Sequence, residues 1–249
     1  MRARRGVALI LVLWLVVVLG AIAASLTTLV HGRLRTVANL RDRAIGREAA
    51  ESGIVATTRE IEDSLETFGE GERRASYLNG LESRRAARDE ALGSARFRVA
   101  IADVNARLDI NSASEDGLTR FLSQFAGAGR ARDAAREIRA YRRADAGPGV
   151  IATPILDLDL LRTRTSLGAR SADAAAPFLT VDGDGNINRH SAPPQVRIAA
   201  AGQLVDAPTR LLLVSRGWRA GGALTHEIQA VYAIQGTQLA LVRWRERDL

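Results

Sequence analysis

An uncharged apolar run near the N-terminus constrains this chain more than any other feature. Residues 7–30 carry no charged side chain, and they follow the short basic segment MRARRG. At a rise of about 1.5 Å per residue, a helix over this run is about 36 Å long, which exceeds the hydrocarbon thickness of a bilayer. We therefore predict a single membrane-spanning helix over 7–30. Because arginines favour the cytoplasmic side, the rest of the chain is expected beyond the membrane.

Three interpretations of this N-terminal segment remain open. One is a plain signal anchor. Another is a cleaved secretory signal with the small-x-small sequence at 21–23, although the apolar part of such signals is usually only about 7–15 residues long. The third is a type IV prepilin leader, in which a short basic segment ending in glycine is removed and the apolar helix is retained. This third interpretation makes 1–6 the leader, with cleavage between Gly6 and Val7 and methylation of the new Val7 amine.

The helix is expected to continue past the membrane. Residues 32–65 contain no proline, and apolar side chains recur at steps of three and four. The pattern predicts one long helix whose first part lies in lipid and whose second part, 31–67, packs on a globular head. This arrangement is typical of pilin-like subunits, in which the apolar helices bundle together.

The remaining residues predict a head of class α+β with an inserted helical part. We assign the pilin-like head to 68–111 and 186–249, and the inserted helical subdomain to 112–185. Alternating apolar residues predict strands, and the last three of them form an antiparallel meander at the C-terminus. The predicted strands are 95–103, 210–218, 225–235 and 238–245; a loop is predicted at 68–76 and helices at 77–92, 155–161 and 171–178.

Two further helices are predicted within 112–143, and Ser112 with Glu115 matches a capping box at the start of the first. A weak internal repeat accompanies them. The segments LDINSAS (108–114) and GNINRHSAP (185–193) each place Ile-Asn before a small polar residue and alanine, and each precedes a possible helix.

Residues capable of chemistry are few. There is no cysteine, so neither disulfides nor thiolate metal sites exist. His31 and His226 are expected to be structural, and His190 follows two aspartates that make a metal cluster conceivable. The loop 182–186 carries oxygen side chains at Asp182, Asp184 and Asn186, as calcium loops do. It lacks the glycine and glutamate positions of an EF-hand, and a simple turn also explains it. We predict no catalytic residues, no cofactor other than possible calcium, and a non-enzymatic role.

Charge by itself says little about partners. The net charge is +7, and all 35 basic residues are arginine. A lysine-free chain rich in arginine and alanine is typical of a GC-rich genome, which weakens the basic charge as a sign of nucleic-acid binding. Aromatic residues make up only 4% of the chain, which argues against a stacking surface for single strands.

Several segments resemble the minor pseudopilin K (general secretion pathway protein K) of bacterial type II secretion systems. The resemblance implies a pilin-type head with a helical insertion, processing by prepilin peptidase, and single-pass residence in the inner membrane with the N-terminus cytoplasmic and the head periplasmic. It further implies a place with minor pseudopilins I and J at the tip of the pseudopilus, in support of pseudopilus initiation and protein export. The matching segments are 4–26, which includes Leu11 and Trp14, and 47–57, 102–114 and 184–193.

Two departures from related proteins bear on this resemblance. Ordinary pilins carry glutamate at the fifth mature position, whereas this chain has Leu11 there. The absence of this glutamate agrees with the K type. The helical insertion is shorter than usual for the family, so no metal ligands are carried over from it.

The alternative function is a membrane-tethered DNA receptor with a helix-hairpin-helix module. Gly127 and Gly129 would form the G-x-G turn that presents backbone N–H groups to a phosphate, and Arg130 and Arg132 would add positive charge. Such receptors usually end at their hairpins, whereas this chain continues into strands. On the main interpretation no nucleic acid is expected as a partner.

Overall fold

The computed structural model describes residues 3–84, 89–143, 154–200 and 204–249. Its helices are α1 (Ala3–Phe68), α2 (Glu72–Asn79), α3 (Leu81–Arg84), α4 (Glu115–Leu122), α5 (Ala128–Arg143), α6 (Leu160–Thr163), α7 (Ala169–Ala175) and α8 (Pro194–Ala199). Its strands are β1 (Asp89–Leu92), β2 (Ala95–Asp103), β3 (Leu108–Asp109), β4 (Leu179–Thr180), β5 (Ile187–Asn188), β6 (Leu204–Val205), β7 (Arg210–Arg219), β8 (His226–Gln235) and β9 (Gln238–Asp248).

The N-terminal helix is a single element, as the sequence predicts. Helix α1 runs for 66 residues without interruption. Its C-terminal part packs on the sheet, where Ile54, Ile61 and Leu65 are buried. Within the described part of the chain, no helix has a segment both long and apolar enough to cross a membrane. The membrane assignment of 7–30 is therefore not confirmed and stays a prediction.

An antiparallel sheet forms the other layer of the head. Its strand order is β1-β2-β7-β8-β9, and each neighbouring pair is antiparallel. The four predicted strands are confirmed as β2, β7, β8 and β9. Alternate residues such as Phe97, Leu213 and Ile228 face α1, and together they form the core of the head.

The predicted helix over 77–92 is wrong over 89–92, where the chain is a strand. After α3 the chain forms β1, which pairs with β2 across a tight turn at Gly93, whose φ of 57° suits glycine. Cross-strand pairing thus overrides the helical preference that the sequence predicts for residues 89–92. The predicted loop over 68–76 is also shorter than expected, because α2 begins at Glu72.

The helical subdomain has a core of its own. Helices α4 and α5 form a hairpin, and the core continues through α6 and α7 to Val196 and Ala199 of α8, beyond the predicted end at residue 185. The capping residue of α4 is Ser114, whose hydroxyl accepts from the N–H of Gly117, and not Ser112 as predicted.

The predicted helix over 155–161 is largely wrong, because helical structure begins only at Leu160. The side-chain amide of Asn111 explains this. Its oxygen accepts from the N–H of Ile155 at 2.7 Å, and its nitrogen donates to the carbonyl of the same residue at 2.9 Å. This two-point pairing imitates a neighbouring strand, so Ile155 stays extended.

The internal repeat corresponds to a repeated structural unit. β3 pairs in parallel with β4, and β5 pairs in parallel with β6. In each copy the second residue of the first strand, Asp109 or Asn188, makes the same two hydrogen bonds. Its side-chain oxygen accepts from the backbone N–H two residues later, and its backbone carbonyl accepts from the N–H of an alanine four residues later. A helix follows each copy. The equivalent pair is therefore Asp109 and Asn188.

Candidate assembly interface

Residues 12–25 of α1 form a segment that the described part of the head does not cover, and we call it the apolar rod. Val12, Trp14 and Val17 are 60%, 68% and 62% exposed, and apolar side chains surround the helix on all sides through Ile22. A helix that is hydrophobic all round is stable only when other apolar material encloses it. This part of the chain is therefore the candidate surface for contact with other apolar material.

The few polar side chains of the rod do not interrupt its apolar character. The hydroxyl of Ser25 donates to the carbonyl of Ala21 at 2.8 Å, within the same helix. A hydroxyl bonded back to its own turn needs no water and is tolerated in an apolar environment. Ser25 is thus compatible with an enclosed helix.

Charged side chains hold α1 where it leaves the head. We call this place the neck and define it by helix residues 42–51. Asp42 lies 3.4 Å from Arg219 of β7, Arg43 lies 3.6 Å from Asp248 of β9, and Arg47 lies 3.0 Å from Glu246 of β9. Each exposed pair contributes only about 0–1 kcal/mol. Together they connect three positions of the neck to the same end of the sheet.

A buried histidine lies behind the ion pairs of the neck. The Nδ1 of His226 is 3.0 Å from Asp248, and its Nε2 is 3.4 Å from Glu246. The pKa of Glu246 lies below its ordinary value, mainly because the indole N–H of Trp244 donates to it and also because the guanidinium of Arg47 is close. Glu246 is thereby kept ionised and available to Arg47. The expectation that His226 is structural agrees with this placement.

The residues predicted to be processed lie near the start of α1. Gly6, Val7 and Leu11 belong to the backbone of α1, but their side chains fall outside the described part of the structure. Trp14 is described and exposed. Cleavage after Gly6 and methylation of Val7 stay predictions.

Protein donors occupy the carboxylates of the 182–186 loop. Asp182 lies 2.6 Å from Arg243 and 3.4 Å from Arg245. Burial by itself would raise the pKa of Asp184, but hydrogen bonds from Thr209 and Asn186 outweigh it, so the pKa lies below the ordinary value. Among the described residues, no three acidic or histidine side chains are grouped to hold a metal. Calcium binding stays an untested prediction.

Asn105 connects this loop to the sheet, and sequence reasoning missed it. Its side-chain oxygen accepts from the N–H groups of Thr209 at 2.9 Å and Arg210 at 2.8 Å. Its nitrogen donates to the carboxylate of Asp184 at 2.9 Å and to the carbonyl of Asn186 at 3.0 Å. All four hydrogen-bonding positions are used, which fixes the loop to the start of β7.

A second buried group joins the end of β2 to the repeated unit. The carboxylate of Asp103 accepts from the side chains of Asn188 and Ser191 and from the N–H of Asn105. Burial is the main influence on Asp103 and raises its pKa despite these hydrogen bonds. The sequence did offer a signal for this connection. Asn105 comes just after a strand with an alternating pattern, and Asn188 lies in the second copy of the repeat. The Nε2 of His190 lies 3.8 Å from Asp206, and among the described residues His190 belongs to no group of three metal-binding side chains.

The residues of the DNA-binding alternative lie at the surface of the helical hairpin. Gly127 precedes α5, and Gly129 lies in its first turn; both are exposed. Arg130 and Arg132 are exposed as well. The hairpin is present as predicted, but its binding to DNA stays a prediction.

Among known proteins, similarity to this chain was found only with solved structures. No protein-family model matches this chain, and no curated protein matches it. A solved structure, the crystal structure of the GspK-GspI-GspJ complex from the enterotoxigenic Escherichia coli type 2 secretion system, is similar at 11% identity and a TM-score of 0.48, over 81% of this chain and 99% of that chain.

Proposed function

We propose that this protein is a non-enzymatic minor pseudopilin of a type II secretion system, held in the inner membrane with its head in the periplasm. In this role it joins minor pseudopilins I and J at the tip of the pseudopilus and supports pseudopilus initiation and protein export. The sequence segments that resemble the K type support this proposal.

One structural observation carries the proposal. The apolar rod of α1 extends from a head whose described core does not include it, since α1 packs on that core from about Ile45 onward. A rod of this kind gains by burial at about 25 cal/mol per Å² of apolar surface. Insertion in a bilayer before assembly, and packing against similar helices after it, are the two states that supply such burial.

The N-terminus of the mature protein tests this proposal. Mass spectrometry of the protein from cells that contain prepilin peptidase is expected to show a chain that begins at Val7 with a methylated amine. A Gly6→Val variant should keep its leader, whereas Gly20→Val, the same change outside the junction, should be processed normally. An intact N-terminus at Met1, or a start at Ala24, contradicts the proposal.

Partner binding gives a second, independent test. The mature protein should co-purify with pseudopilins I and J from detergent extracts, and duplex DNA should not bind with a steep salt dependence. If micromolar binding to duplex DNA is found, and it is lost when Arg130 and Arg132 become glutamine, the DNA-receptor alternative is favoured instead.

The proposed tip position follows from a missing carboxylate. In a pilin-type stack the mature amine of each subunit enters an apolar bundle, where an unpaired ammonium costs several kcal/mol. Glutamate at the fifth mature position normally neutralises a neighbour's amine, but here that position is Leu11 and the first acid is Asp42. A subunit without this carboxylate is best accommodated at the leading end. Leu11→Glu should therefore impair initiation or shift the subunit along the filament, as immunogold labelling would show.

A further inference from the structure

The face of the sheet that points away from α1 is rich in arginine. Phe97, Leu213 and Ile228 face the helix, so the side chains at alternate positions point to the opposite face. We call this the arginine face. Three carboxylates, Asp89, Glu227 and Asp182, pair with its guanidinium groups, so positive charge remains in excess. Its arginines are Arg96, Arg98, Arg210, Arg216, Arg243, Arg245 and Arg247.

A row of charges crosses all five strands on this face. In register order it runs from Asp89 through Arg98, Arg216 and Glu227 to Arg247. The ion-pair distances are 2.6 Å for Asp89–Arg98, 2.6 Å for Arg216–Glu227 and 2.7 Å for Arg247–Glu227. Opposite charges thus meet at three of the four strand contacts, and the row ends in a cation at β9.

The edge of the sheet at β9 is long and open. β9 is the last strand in the sheet order and, within the described residues, it pairs only with β8. Arg243, Arg245 and Arg247 lie on one face of β9 at steps of about 6.6 Å along the strand. Beside them, Leu241 and Val242 are 54% and 45% exposed. The edge therefore offers apolar contact and a regular row of cations.

This charge pattern restricts what can pair with β9. A second copy of β9 would bring arginines against arginines, and like charges directly opposite each other disfavour pairing. A strand with carboxylates at alternate positions would instead continue the row of alternating charges. We propose that the β9 edge binds an extended segment of a protein partner that carries acidic side chains at every second position. This proposal is independent of how α1 assembles.

Peptide binding to the full chain in detergent micelles tests the proposal. The probe is a fluorescent peptide of about ten residues that alternates glutamate and threonine, and the control peptide has the same composition with its glutamates adjacent. The alternating peptide should bind more tightly, and its affinity should fall with added salt. Arg245→Glu should weaken binding of the alternating peptide about five-fold or more and strengthen binding of a lysine–threonine peptide. Arg170→Glu, an equal charge change on α7, should do neither.

Several results would overturn the proposal. One is equal binding of the two glutamate peptides, which would reduce the effect to charge alone. Another is tighter binding of a short DNA duplex, which would indicate nucleic acid instead. The third is no salt-dependent binding at all, in which case the arginines only protect the edge from self-association. The reversed preference of Arg245→Glu for the lysine peptide is a gain of binding, so loss of folding cannot imitate it.

Discussion

Gly46 of α1 and Gly217 of β7 touch through their backbones. A Cβ on Gly46 would lie 2.9 Å from the carbonyl oxygen of Gly217, and a Cβ on Gly217 would lie 2.6 Å from the nitrogen of Ala50 and would overlap the carbonyl of Gly46. Both distances are too short for real side chains. The helix therefore reaches the sheet at the neck only because neither residue has a side chain.

The first prediction concerns this contact. Gly217→Ala should lower the free energy of unfolding of the head by about 1–3 kcal/mol, because the atoms that obstruct the new methyl group are backbone atoms of a helix that must move as a whole. Chemical denaturation followed by circular dichroism measures the change. Gly129→Ala, where a Cβ meets open space in α5, should instead leave stability unchanged or raise it by about 0.5–1 kcal/mol. Equal stability of Gly217→Ala and the wild type would contradict the close contact.

The second prediction separates the apolar rod from the rest of α1. Val17 and Val37 are 62% and 63% exposed, but only Val17 lies in the uncharged run. Val17→Asp should weaken membrane insertion by about 2.5–3.5 kcal/mol, since it places a carboxylate near the bilayer centre. The variant should appear in the soluble fraction after alkaline extraction, whereas Val37→Asp should stay with the membrane. The same distribution for both variants would argue against the membrane assignment.

The third prediction is a pH dependence at Glu227. Burial would raise the pKa of this carboxyl, but the hydrogen bond from Arg216 and other interactions hold it below the ordinary value of 4.5. A lowered folded-state pKa contributes stability above pH 4.5 that is lost as the pH falls through the folded-state value. Glu227→Gln should be less stable by about 1–3 kcal/mol at pH 7. The difference from wild type should shrink below pH 4.5.

Thermal unfolding at several pH values measures the difference for Glu227→Gln. Glu66→Gln, which changes an exposed carboxylate on α1, provides the matched comparison and should lie within about 0.5 kcal/mol of wild type at every pH. A constant gap between Glu227→Gln and wild type from pH 7 to pH 3 would contradict the lowered pKa.

The fourth prediction tests the role of Asn105. Asn105→Ala removes the acceptor for two backbone N–H groups and a donor to Asp184, and should destabilise the protein by about 2–4 kcal/mol. Asn39→Ala, at an exposed position on α1, should have little effect. Hydrogen exchange should quicken first in the loop 182–186 and at Thr209. If exchange increases uniformly over the head, Asn105 does not act locally.

The elements that sequence reasoning located correctly are those with a clear period. β2 alternates between buried and more exposed residues, and β7 does so over most of its length. α1 carries a long run of helix-forming residues without proline, so in all three elements the local pattern and the final structure agree. β1 has no alternating pattern of burial. It is a strand because it pairs with β2, and that pairing leaves no local signal in the sequence. The extended segment at Ile155 depends on a side chain 44 residues away, which no local window contains.

The polar connections were the least predictable part of the candidate site. Asp109 and Asn188 occupy equivalent places in the two repeated structural units. The sequence repeat instead aligns Asn111 with Asn188, which is two residues out of step with the structure. A buried amide with all its hydrogen bonds satisfied looks the same in sequence as a solvated one. Tertiary structure alone distinguishes Asn105 from Asn39.

The ion pairs of the neck fix the direction in which the N-terminal part of α1 leaves the head. Residues 3–41 of α1 extend about 58 Å beyond the neck at the rise of an α-helix. A tilt of one degree at the neck moves the far end of such a rod by about 1 Å. A small shift of Asp42, Arg43 or Arg47, or of their partners on the sheet, therefore displaces the far end of the helix by an ångström or more. Such a displacement is large enough to disturb its packing against another helix. The direction in which the head points from a bundle of such helices is decided within about three turns of α1.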